Sequence, residues 1–197
     1  MSNIALVTGA GSGIGKSIAL AFAAQGDKVI AADLDLAAAE ATAKENPDLI
    51  TALPVDISDR TQVDALREHT HAQVGVPNVL VNAAGWDRTD QFLNATPEFA
   101  QKVVAINYLG PVNICSAFLP GIIEAGNGGR VINLASDAGR VAARVNPSTP
   151  APRAVSSHSP NRLHERWHGT ASTSTVYAPA PPTHRCSSHR TRSSKRH

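Results

Sequence analysis

The glycines between residues 8 and 15 are the first residues whose types and spacing could support chemistry. They read Thr8-Gly9-Ala10-Gly11-Ser12-Gly13-Ile14-Gly15, after a short apolar run and before an amphipathic stretch. Glycine lets the backbone turn tightly and approach a pyrophosphate, whose charge is met by free amide groups at the N-terminus of the following helix. The segment predicts a dinucleotide phosphate site built from Gly9, Ser12, Gly13, Ile14 and Gly15. The alternative is a structural turn that binds no phosphate.

An acidic residue follows these glycines at the distance that a dinucleotide-binding site needs. Asp33 ends the next predicted strand, eighteen residues beyond Gly15. An acid about 20 residues after the glycines accepts hydrogen bonds from the adenosine ribose hydroxyls. Because its charge would repel a 2′-phosphate, Asp33 favours NAD over NADP as the cofactor.

The elements that must position these residues are visible as alternating apolar runs and amphipathic stretches through residues 1–141. This alternation is typical of parallel strands joined by crossover helices. It predicts an α/β fold, a doubly wound parallel sheet (Rossmann fold) that is truncated after its fifth strand. The predicted strands are 4–8, 28–33, 49–55, 79–82 and 130–134. The predicted helices are 13–26, 36–45, 60–74 and 97–123, the last one bent or restarted at Gly110-Pro111.

Motifs at the ends of the predicted strands resemble those of the short-chain dehydrogenase/reductase family, whose first motif reads TGxxxGIG. Residues 8–15 match that motif, and the resemblance covers residues 3–141. Four further positions match in order: Asp56-Ile57, similar to the pair that contacts adenine; Asn82-Ala83-Ala84-Gly85, similar to the turn beside the cofactor; Asn107, similar to the helix asparagine; and Ser136, similar to the catalytic serine. The resemblance implies hydride transfer between NAD(H) and a hydroxyl or carbonyl of a small-molecule substrate. It also implies that intact relatives are homotetramers.

Simpler roles stay open for several of these residues. Asn82 can satisfy backbone groups at a strand end, and Asp56 can belong to the N-terminal cap region of the next helix, where Ser58 is equally able to cap. Ser136, beside Asp137, can lie in an ordinary turn. Trp86-Asp87, after the Asn82 motif, can line a substrate pocket or lie in an exposed loop.

Composition favours a soluble protein with one sizeable core. The chain has 197 residues, of which 42% are hydrophobic, enough for a single domain. No stretch holds the roughly 18 to 20 uninterrupted apolar residues of a membrane span, and the N-terminus lacks a signal-peptide pattern. A cytoplasmic location without a membrane partner is expected. Cys115 and Cys186 lie far apart, so no structural disulfide or metal site is expected, and Cys115 should pack in the core.

A basic tail with a different composition follows the α/β pattern. Residues 1–141 hold nine lysines and arginines against fifteen acidic residues, whereas residues 142–197 hold nine against one, Glu165. Seven of the thirteen prolines and six of the eight histidines lie in this tail. The chain is therefore divided into an NAD-binding domain, 1–141, and a tail, 142–197, that is expected to be disordered because its apolar side chains are too few to offset the entropy of ordering.

The tail lacks the acid/base pair that the resemblance requires. The family places a tyrosine thirteen residues after the serine and a lysine four residues beyond, and those positions hold Thr149 and Arg153. The tyrosine exchanges a proton with the substrate oxygen, while the lysine ammonium lowers the pKa of the phenol. The chain as printed is therefore expected to be inactive in hydride transfer.

The genetic code permits a reading-frame shift at the composition boundary near Val141. Joining the last base of each codon to the first two of the next allows a tyrosine codon across Ser148 and Thr149, and a lysine codon across Pro152 and Arg153. These codons fall at positions 149 and 153, the spacing that the family needs. Further along, the shifted frame permits the family's GIxVN strand and PG turn. The tail is therefore interpreted as out of frame, through loss of one nucleotide.

Two other classes of function stay open. The basic tail could bind the phosphates of a nucleic acid while tethered to an NAD-binding domain. A low-complexity basic arm, however, rarely encodes the missing half of a domain when it is read in a shifted frame. A non-functional truncated product is the other alternative, because loss of the last strands leaves an unpaired sheet edge. The repaired text resembles the family branch that includes 2-hydroxycyclohexanecarboxyl-CoA dehydrogenases, which implies a hydroxyacyl thioester substrate.

Overall fold

The computed structural model describes residues 2–87 and 95–135 and the backbone of residues 173–178. Its strands are β1 (Ile4–Thr8), β2 (Lys28–Asp33), β3 (Ile50–Pro54), β4 (Val79–Asn82), β5 (Gly129–Leu134) and β6 (Thr173–Ala178). Its α-helices are α1 (Gly13–Ala24), α2 (Leu36–Ala43), α3 (Arg60–Gln73), α4 (Pro97–Val104) and α5 (Gly110–Ala125), with a π-helical turn at Ala105–Leu109 between the last two.

Strands β1 to β5 form a parallel sheet in the order β3-β2-β1-β4-β5. Leu6 lies opposite Ile30 on one side and opposite Leu80 on the other, which fixes the register at the centre of the sheet. The chain runs from β1 outward to β3, then crosses back through α3 and runs outward again through β4 and β5. The order therefore reverses between β1 and β4, where open parallel sheets bind ligands. The predicted doubly wound parallel sheet is confirmed.

Alternate side chains of the strands enter two separate core layers. Leu6, Ile30 and Leu80 pack on one face of the sheet with Phe118 of α5 and Leu66 of α3. The other face carries smaller residues under α1 and α2: Ala5, Val7, Ala19, Val29, Ala31, Ala39 and Val81 are buried there. Helices cover both faces, which explains why these strands are apolar along nearly their whole length.

A buried polar network joins the amino ends of β1, β2 and β4. Asp27, only 5% exposed, accepts hydrogen bonds from the backbone N–H of Asn3 at 2.7 Å and from its side-chain amide at 3.1 Å. Asn78 donates to Asn3 Oδ1 at 3.0 Å and accepts from the backbone N–H of Ile4 at 2.9 Å. These bonds hold three strand starts in register at the edge opposite the predicted site.

The helical segment after β4 contains a π-helical turn beside Gly110-Pro111, the place where the sequence predicts a bend or a restart. The turn, Ala105–Leu109, ends immediately before Gly110. Gly110 packs so closely on the sheet side that a Cβ there would lie 2.5 Å from Ile57 Cδ1. Wide helical turns of this kind occur frequently at functional sites, and this one contains Asn107.

The same helical run is the one stretch among the described residues that could cross a membrane by length and composition. Residues Pro97–Ala125 form 29 continuous helical residues with a mean hydropathy of 1.4. A core helix of a soluble protein meets the same criterion, and Ile114, Phe118 and Ile122 of this run are buried against the sheet.

One segment of the tail adds a strand that the sequence analysis did not expect. Strand β6 pairs antiparallel with β5, with Val176 opposite Val131. The segment reads TSTVYA, and threonine, valine and tyrosine are residue types that favour strands. The open edge of β5 offers unpaired backbone groups to such a segment. The rest of 142–197 lies outside the described residues, so its expected disorder stays a prediction.

His71 of α3 fills the contact between α3 and α5. Its ring meets Phe118 edge-on, with 6.0 Å between ring centroids and 80° between the planes. Gly121 leaves room for it, because a Cβ there would lie 3.2 Å from His71 Cε1. Burial, and secondarily the positive charge of Arg67, lower the pKa of His71 from its ordinary value of 6.5.

This depressed pKa predicts a loss of stability in acid. As the pH falls below 6.5, the unfolded chain takes up the proton before the folded chain does, so the free energy of unfolding falls with pH. Replacing His71 with glutamine (H71Q), which does not titrate, should remove the part of this pH-dependent loss that His71 causes. Urea unfolding at about pH 7.5 and about pH 5.5 measures it. Equal losses in wild type and H71Q would contradict the assignment.

Candidate dinucleotide-binding site

A cavity of about 620 Å³ opens at the carboxyl edge of the sheet, beside the point where the strand order reverses. It is bounded by the turn after β1, the ends of β2, β3 and β4, and the α4 segment. Of the predicted cofactor residues, those that line it are Gly9, Ser12, Gly13, Ile14, Gly15, Asp33, Asp56, Ile57, Ala83, Ala84 and Gly85. Asn82 lies just behind this wall. The fold therefore brings together residues that are up to 76 positions apart in the sequence.

Two glycines permit the close approach of α1 to the end of β1. A Cβ on Gly15 would lie 2.1 Å from the carbonyl oxygen of Gly9, a distance that no side chain can adopt. Gly9 has a φ of +70°, and a Cβ there would lie 2.7 Å from the Cα of Ala84. Glycine is therefore required at both positions, and the turn passes directly beneath the start of α1.

The N-terminus of α1 carries no side-chain cap. Ser12 occupies the N-cap position but makes no capping hydrogen bond, whereas Asp35, Asp59 and Thr96 cap α2, α3 and α4 with their side-chain oxygens. The backbone N–H groups at this end of α1 consequently remain for another acceptor. They lie on the cavity wall, where the helix dipole favours an anion.

Thr8 joins this turn to the motif after β4. Its hydroxyl donates to the carbonyl of Val81 at 3.3 Å and accepts from the backbone N–H groups of Ala83 and Ala84, each at 3.2 Å. Thr8 is 1% exposed, so these bonds are shielded from water. The turns that follow β1 and β4 thus form one continuous wall of the cavity.

The two acidic residues of the cavity are both oriented by backbone donors. Asp33 accepts from the N–H of Gly11 at 2.8 Å and from the N–H of Asp35 at 3.0 Å. Asp56 accepts from the N–H of Ser58 at 2.9 Å and from its hydroxyl at 2.6 Å. The cap of α3 is Asp59 rather than Asp56 or Ser58, and hydrogen bonds from Gln62 and Thr61 lower the pKa of the Asp59 carboxyl.

Asn82 joins the ends of β4 and β5 behind the cavity. Its side-chain amide donates to Asn133 Oδ1 at 2.7 Å, while its Oδ1 is buried without a partner in the described part of the chain. Cys115 of α5 lies nearby, with its Sγ 3.7 Å from Asn82 Nδ2. Burial raises the pKa of the Cys115 thiol, which agrees with the core-packing role expected for it.

Asn107, in the π-helical turn, holds the backbone of Trp86. Its Oδ1 accepts from the N–H of Trp86 at 2.8 Å, and its Nδ2 donates to the carbonyl of Trp86 at 2.7 Å. The Trp86 indole lies 5.5 Å from the ring of Phe99, and the Lys102 ammonium lies 4.3 Å from its ring centre. Trp86 lines the cavity and Asp87 does not, so a role in a substrate pocket stays a prediction for this pair.

Sequence reasoning missed two lining residues after β4, Lys102 of α4 and Ile106 of the π-helical turn. Lys102 carries the one positive charge among the described lining residues. No spacing rule indicated either residue, because α4 is placed by packing across the sheet and not by a motif of its own.

The fold agrees with what comparison with known proteins finds. The family model for short chain dehydrogenases matches residues 3–151. The chain belongs to the short-chain dehydrogenase family. The resemblance expected from the motifs is thereby confirmed at the level of the family.

Individual members of the family match over the same part of the chain. The probable oxidoreductase EphD of Mycobacterium tuberculosis is 40% identical over 133 residues, which are 66% of this chain and 22% of EphD. Galactitol 2-dehydrogenase of Agrobacterium fabrum is 37% identical over 139 residues, 71% of this chain and 54% of that enzyme. The crystal structure of 3-ketoacyl-(acyl-carrier-protein) reductase from Brucella melitensis, complexed with NADH, is 36% identical with a TM-score of 0.68, covering 70% of this chain and 59% of that one.

The chain thus spans about a fifth of EphD and little more than half of the other two proteins. Ser136, and positions 149 and 153 where the family has its tyrosine and lysine, lie outside the described residues. The described residues therefore hold the glycine turn, Asp33 and the motifs as far as Asn107, but not the positions of the family's serine, tyrosine and lysine.

Adding one methyl group at Gly15 should weaken dinucleotide binding. In the variant Gly15→Ala, the new Cβ forces α1 away from the Gly9 carbonyl and moves the helix amides, so NADH affinity should fall about 10- to 100-fold through loss of charge-assisted hydrogen bonds. Titration of the nicotinamide fluorescence measures this affinity. Gly26→Ala is the matched control at the other end of α1, where φ is +84° and no atom lies within 4 Å.

The control should lose about 1 kcal/mol of folding stability through its left-handed backbone and keep its NADH affinity. A Gly15→Ala variant that binds NADH as tightly as the Gly26→Ala variant would contradict the placement of the phosphates at α1.

Proposed function

We propose that this chain binds NAD(H) and belongs to an oxidoreductase that transfers a hydride between the nicotinamide and a hydroxyl or carbonyl group of a small molecule. The observation that carries the proposal is the uncapped N-terminus of α1, which faces a cavity that also holds Asp33. A pyrophosphate and a ribose are the two chemical groups that these features suit, and a dinucleotide contains both.

The described residues fit such a cofactor on three counts. The cavity of about 620 Å³ suits a ligand of this size, Gly9 and Gly15 leave the space that a Cβ would fill, and the α1 amides lack a side-chain acceptor. In the proposed complex, the α1 amides would hold the pyrophosphate and Asp33 the adenosine ribose. Asp56-Ile57 would contact adenine. The nicotinamide, when bound, supplies or accepts the hydride.

NAD is proposed over NADP because of the charge at the end of β2. Asp33 would meet the adenosine ribose, and Leu34, which is 73% exposed, follows it without offering a positive charge. The one cation among the described lining residues, Lys102, lies on α4 beside Trp86. A 2′-phosphate would consequently face a carboxylate, and like charges in contact weaken binding by several kcal/mol.

Wild-type protein should therefore bind NADH more tightly than NADPH, by roughly 10- to 100-fold. The variant Asp33→Asn keeps the shape but removes the charge, so the affinity ratio should fall toward one. Asp35→Asn is the matched control, because it removes the same charge two residues away and asparagine still caps α2. Isothermal titration with both cofactors gives the ratio, and an equal ratio in all three proteins would contradict the role of Asp33.

For catalysis we propose roles for both halves of an intact protein. Ser136 would hydrogen-bond the substrate oxygen, and a tyrosine and a lysine encoded at positions 149 and 153 would supply the acid/base pair. Asn107 would contribute a water that links the lysine to solvent, besides holding Trp86 with its side chain. The chain as printed has Thr149 and Arg153 instead, so in this proposal it binds cofactor without turning over substrate.

We propose a hydroxyacyl or ketoacyl thioester as substrate. The resemblance of the frame-shifted text to 2-hydroxycyclohexanecarboxyl-CoA dehydrogenases suggests it, and the similar reductase from Brucella melitensis is named for a 3-ketoacyl-(acyl-carrier-protein) substrate. The exposed apolar residues Val104, Tyr108, Leu109 and Val112 of the α4–α5 segment support the proposal that the intact protein is a homotetramer, because such patches mark interfaces.

Restoring one base near codon 141 tests the proposed enzyme. The repaired protein should oxidise or reduce a hydroxyacyl or ketoacyl thioester with NAD(H), measured by absorbance of NADH, while the printed chain should bind NADH without turnover. Replacing the restored tyrosine with phenylalanine should lower the rate about 10²- to 10⁴-fold, the usual contribution of general acid/base catalysis. A repaired protein that binds NADH but reduces no carbonyl compound would contradict the proposed reaction.

A further inference from the structure

We propose that Thr42, a buried residue of α2 outside the cavity, is a positioning residue for the dinucleotide site. Together with the Asp33 carboxylate, its hydroxyl holds Ala10 and Gly11 in the shape that places the N-terminus of α1 against the pyrophosphate. The inference rests on the proposed binding of NAD(H), and it assigns part of that binding to a side chain that does not line the cavity.

The Thr42 hydroxyl reaches across 32 residues to the turn. Thr42 is 0% exposed, and its Oγ1 lies 2.9 Å from the carbonyl oxygen of Ala10 and 3.3 Å from that of Ala38. A threonine within a helix ordinarily donates back to the carbonyl four residues earlier, which here is Ala38. Because a hydroxyl has a single proton and the Ala10 carbonyl is nearer, the turn is the better acceptor.

Three hydrogen bonds fasten the two residues before Ser12 to β2 and α2, and we call them the turn clasp. Ala10 N–H donates to the carbonyl of Ala32 at 3.2 Å, Gly11 N–H donates to Asp33 Oδ2 at 2.8 Å, and Thr42 donates to Ala10. The Asp35 N–H, at 3.0 Å from Asp33 Oδ1, fixes the orientation of the carboxylate. Both polar groups of Ala10 and the amide of Gly11 are therefore engaged before any ligand is present.

The clasp determines which amides remain for the phosphates. Gly11 N–H is bonded to Asp33, so the donors left for a pyrophosphate are those at the start of α1. The turn is also packed tightly on α2, since a Cβ on Gly11 would lie 2.7 Å from the Cβ of Ala38. Helix α2 thus sets the position of the turn, and the turn sets the position of the α1 amides that follow it.

Loss of the Thr42 bond should weaken binding through the freedom that the turn gains. A turn already held in its bound shape loses little conformational entropy when the ligand arrives, whereas a loosened turn must be ordered at that moment. One neutral hydrogen bond corresponds to about a three- to tenfold change in affinity. We expect Thr42→Val, which keeps the shape and removes the hydroxyl, to weaken NADH binding by that factor.

The chain offers a matched control for this substitution. Thr70 of α3 is also 0% exposed, and its hydroxyl has no hydrogen-bond partner in the described part of the chain. Thr70→Val makes the same chemical change in the core without touching the turn, and should leave NADH affinity at the wild-type value. Thr42→Ser restores a hydroxyl at the same position and should recover most of the affinity, which a loss of packing alone would not do.

The test measures two quantities on the full chain and its variants: NADH affinity by nicotinamide fluorescence, and amide hydrogen exchange of the 8–16 segment without ligand. Faster exchange of this segment in Thr42→Val than in Thr70→Val, with weaker NADH binding that Thr42→Ser recovers, supports the proposal. Equal NADH affinities in the two valine variants, or a serine variant as weak as the valine variant, overturn it. If Thr42→Val does not fold, Thr42→Ala is compared with Thr70→Ala by the same criteria.

Hydrogen exchange separates this proposal from the proposed function. A wild-type chain that binds no NADH overturns the proposed function. In that case, amide exchange of the 8–16 segment that Thr42→Val leaves unchanged overturns the turn clasp as well. Faster exchange in Thr42→Val supports the clasp as a feature of the turn without ligand.

Discussion

The contact between the start of α1 and the end of β1 is the constraint on which the described structure depends. With only 2.1 Å between the place of a Gly15 Cβ and the Gly9 carbonyl, the helix lies against the strand end as closely as a backbone allows. This closeness lets α1 direct its free amides to the mouth of the sheet while its Ala19 and Ala23 pack on the strands behind. The close contact between Gly15 and Gly9 therefore determines both the packing of α1 on the core and the position of its amides at the site.

The two edges of the sheet use polar groups for different purposes. At the amino edge, Asn3 bonds to both Asp27 and Asn78, so these polar groups satisfy one another. At the carboxyl edge, Thr8 and the turn clasp satisfy the groups that would otherwise let the turns move, yet the α1 amides stay available. Rigid turns that carry unsatisfied donors are what a preorganised anion site requires.

Local patterns in the sequence were sufficient for the sheet and for the glycine turn, because strand alternation and the glycine-to-Asp33 spacing are short-range features. The contacts that the sequence did not reveal all span long separations. Asn107 lies in a π-helical turn and bonds to the backbone of Trp86, 21 residues before it. Thr42 resembles the other small residues of its helix in sequence, and its bond to Ala10 exists only where α2 packs against the turn. Strand β6 was missed because the low apolar content of the tail as a whole predicted disorder, although its short segment TSTVYA favours a strand and finds an available edge at β5.

The cavity has a consequence for how the protein is made. The described residues that line it run from Gly9 to Ile106. Because a chain is synthesised from its N-terminus, all of these residues are made before β5 and β6. In the proposed function, a dinucleotide bound by these residues stabilises the folded state by mass action, so the cofactor contributes to the stability of a part of the chain that is synthesised before β5 and β6.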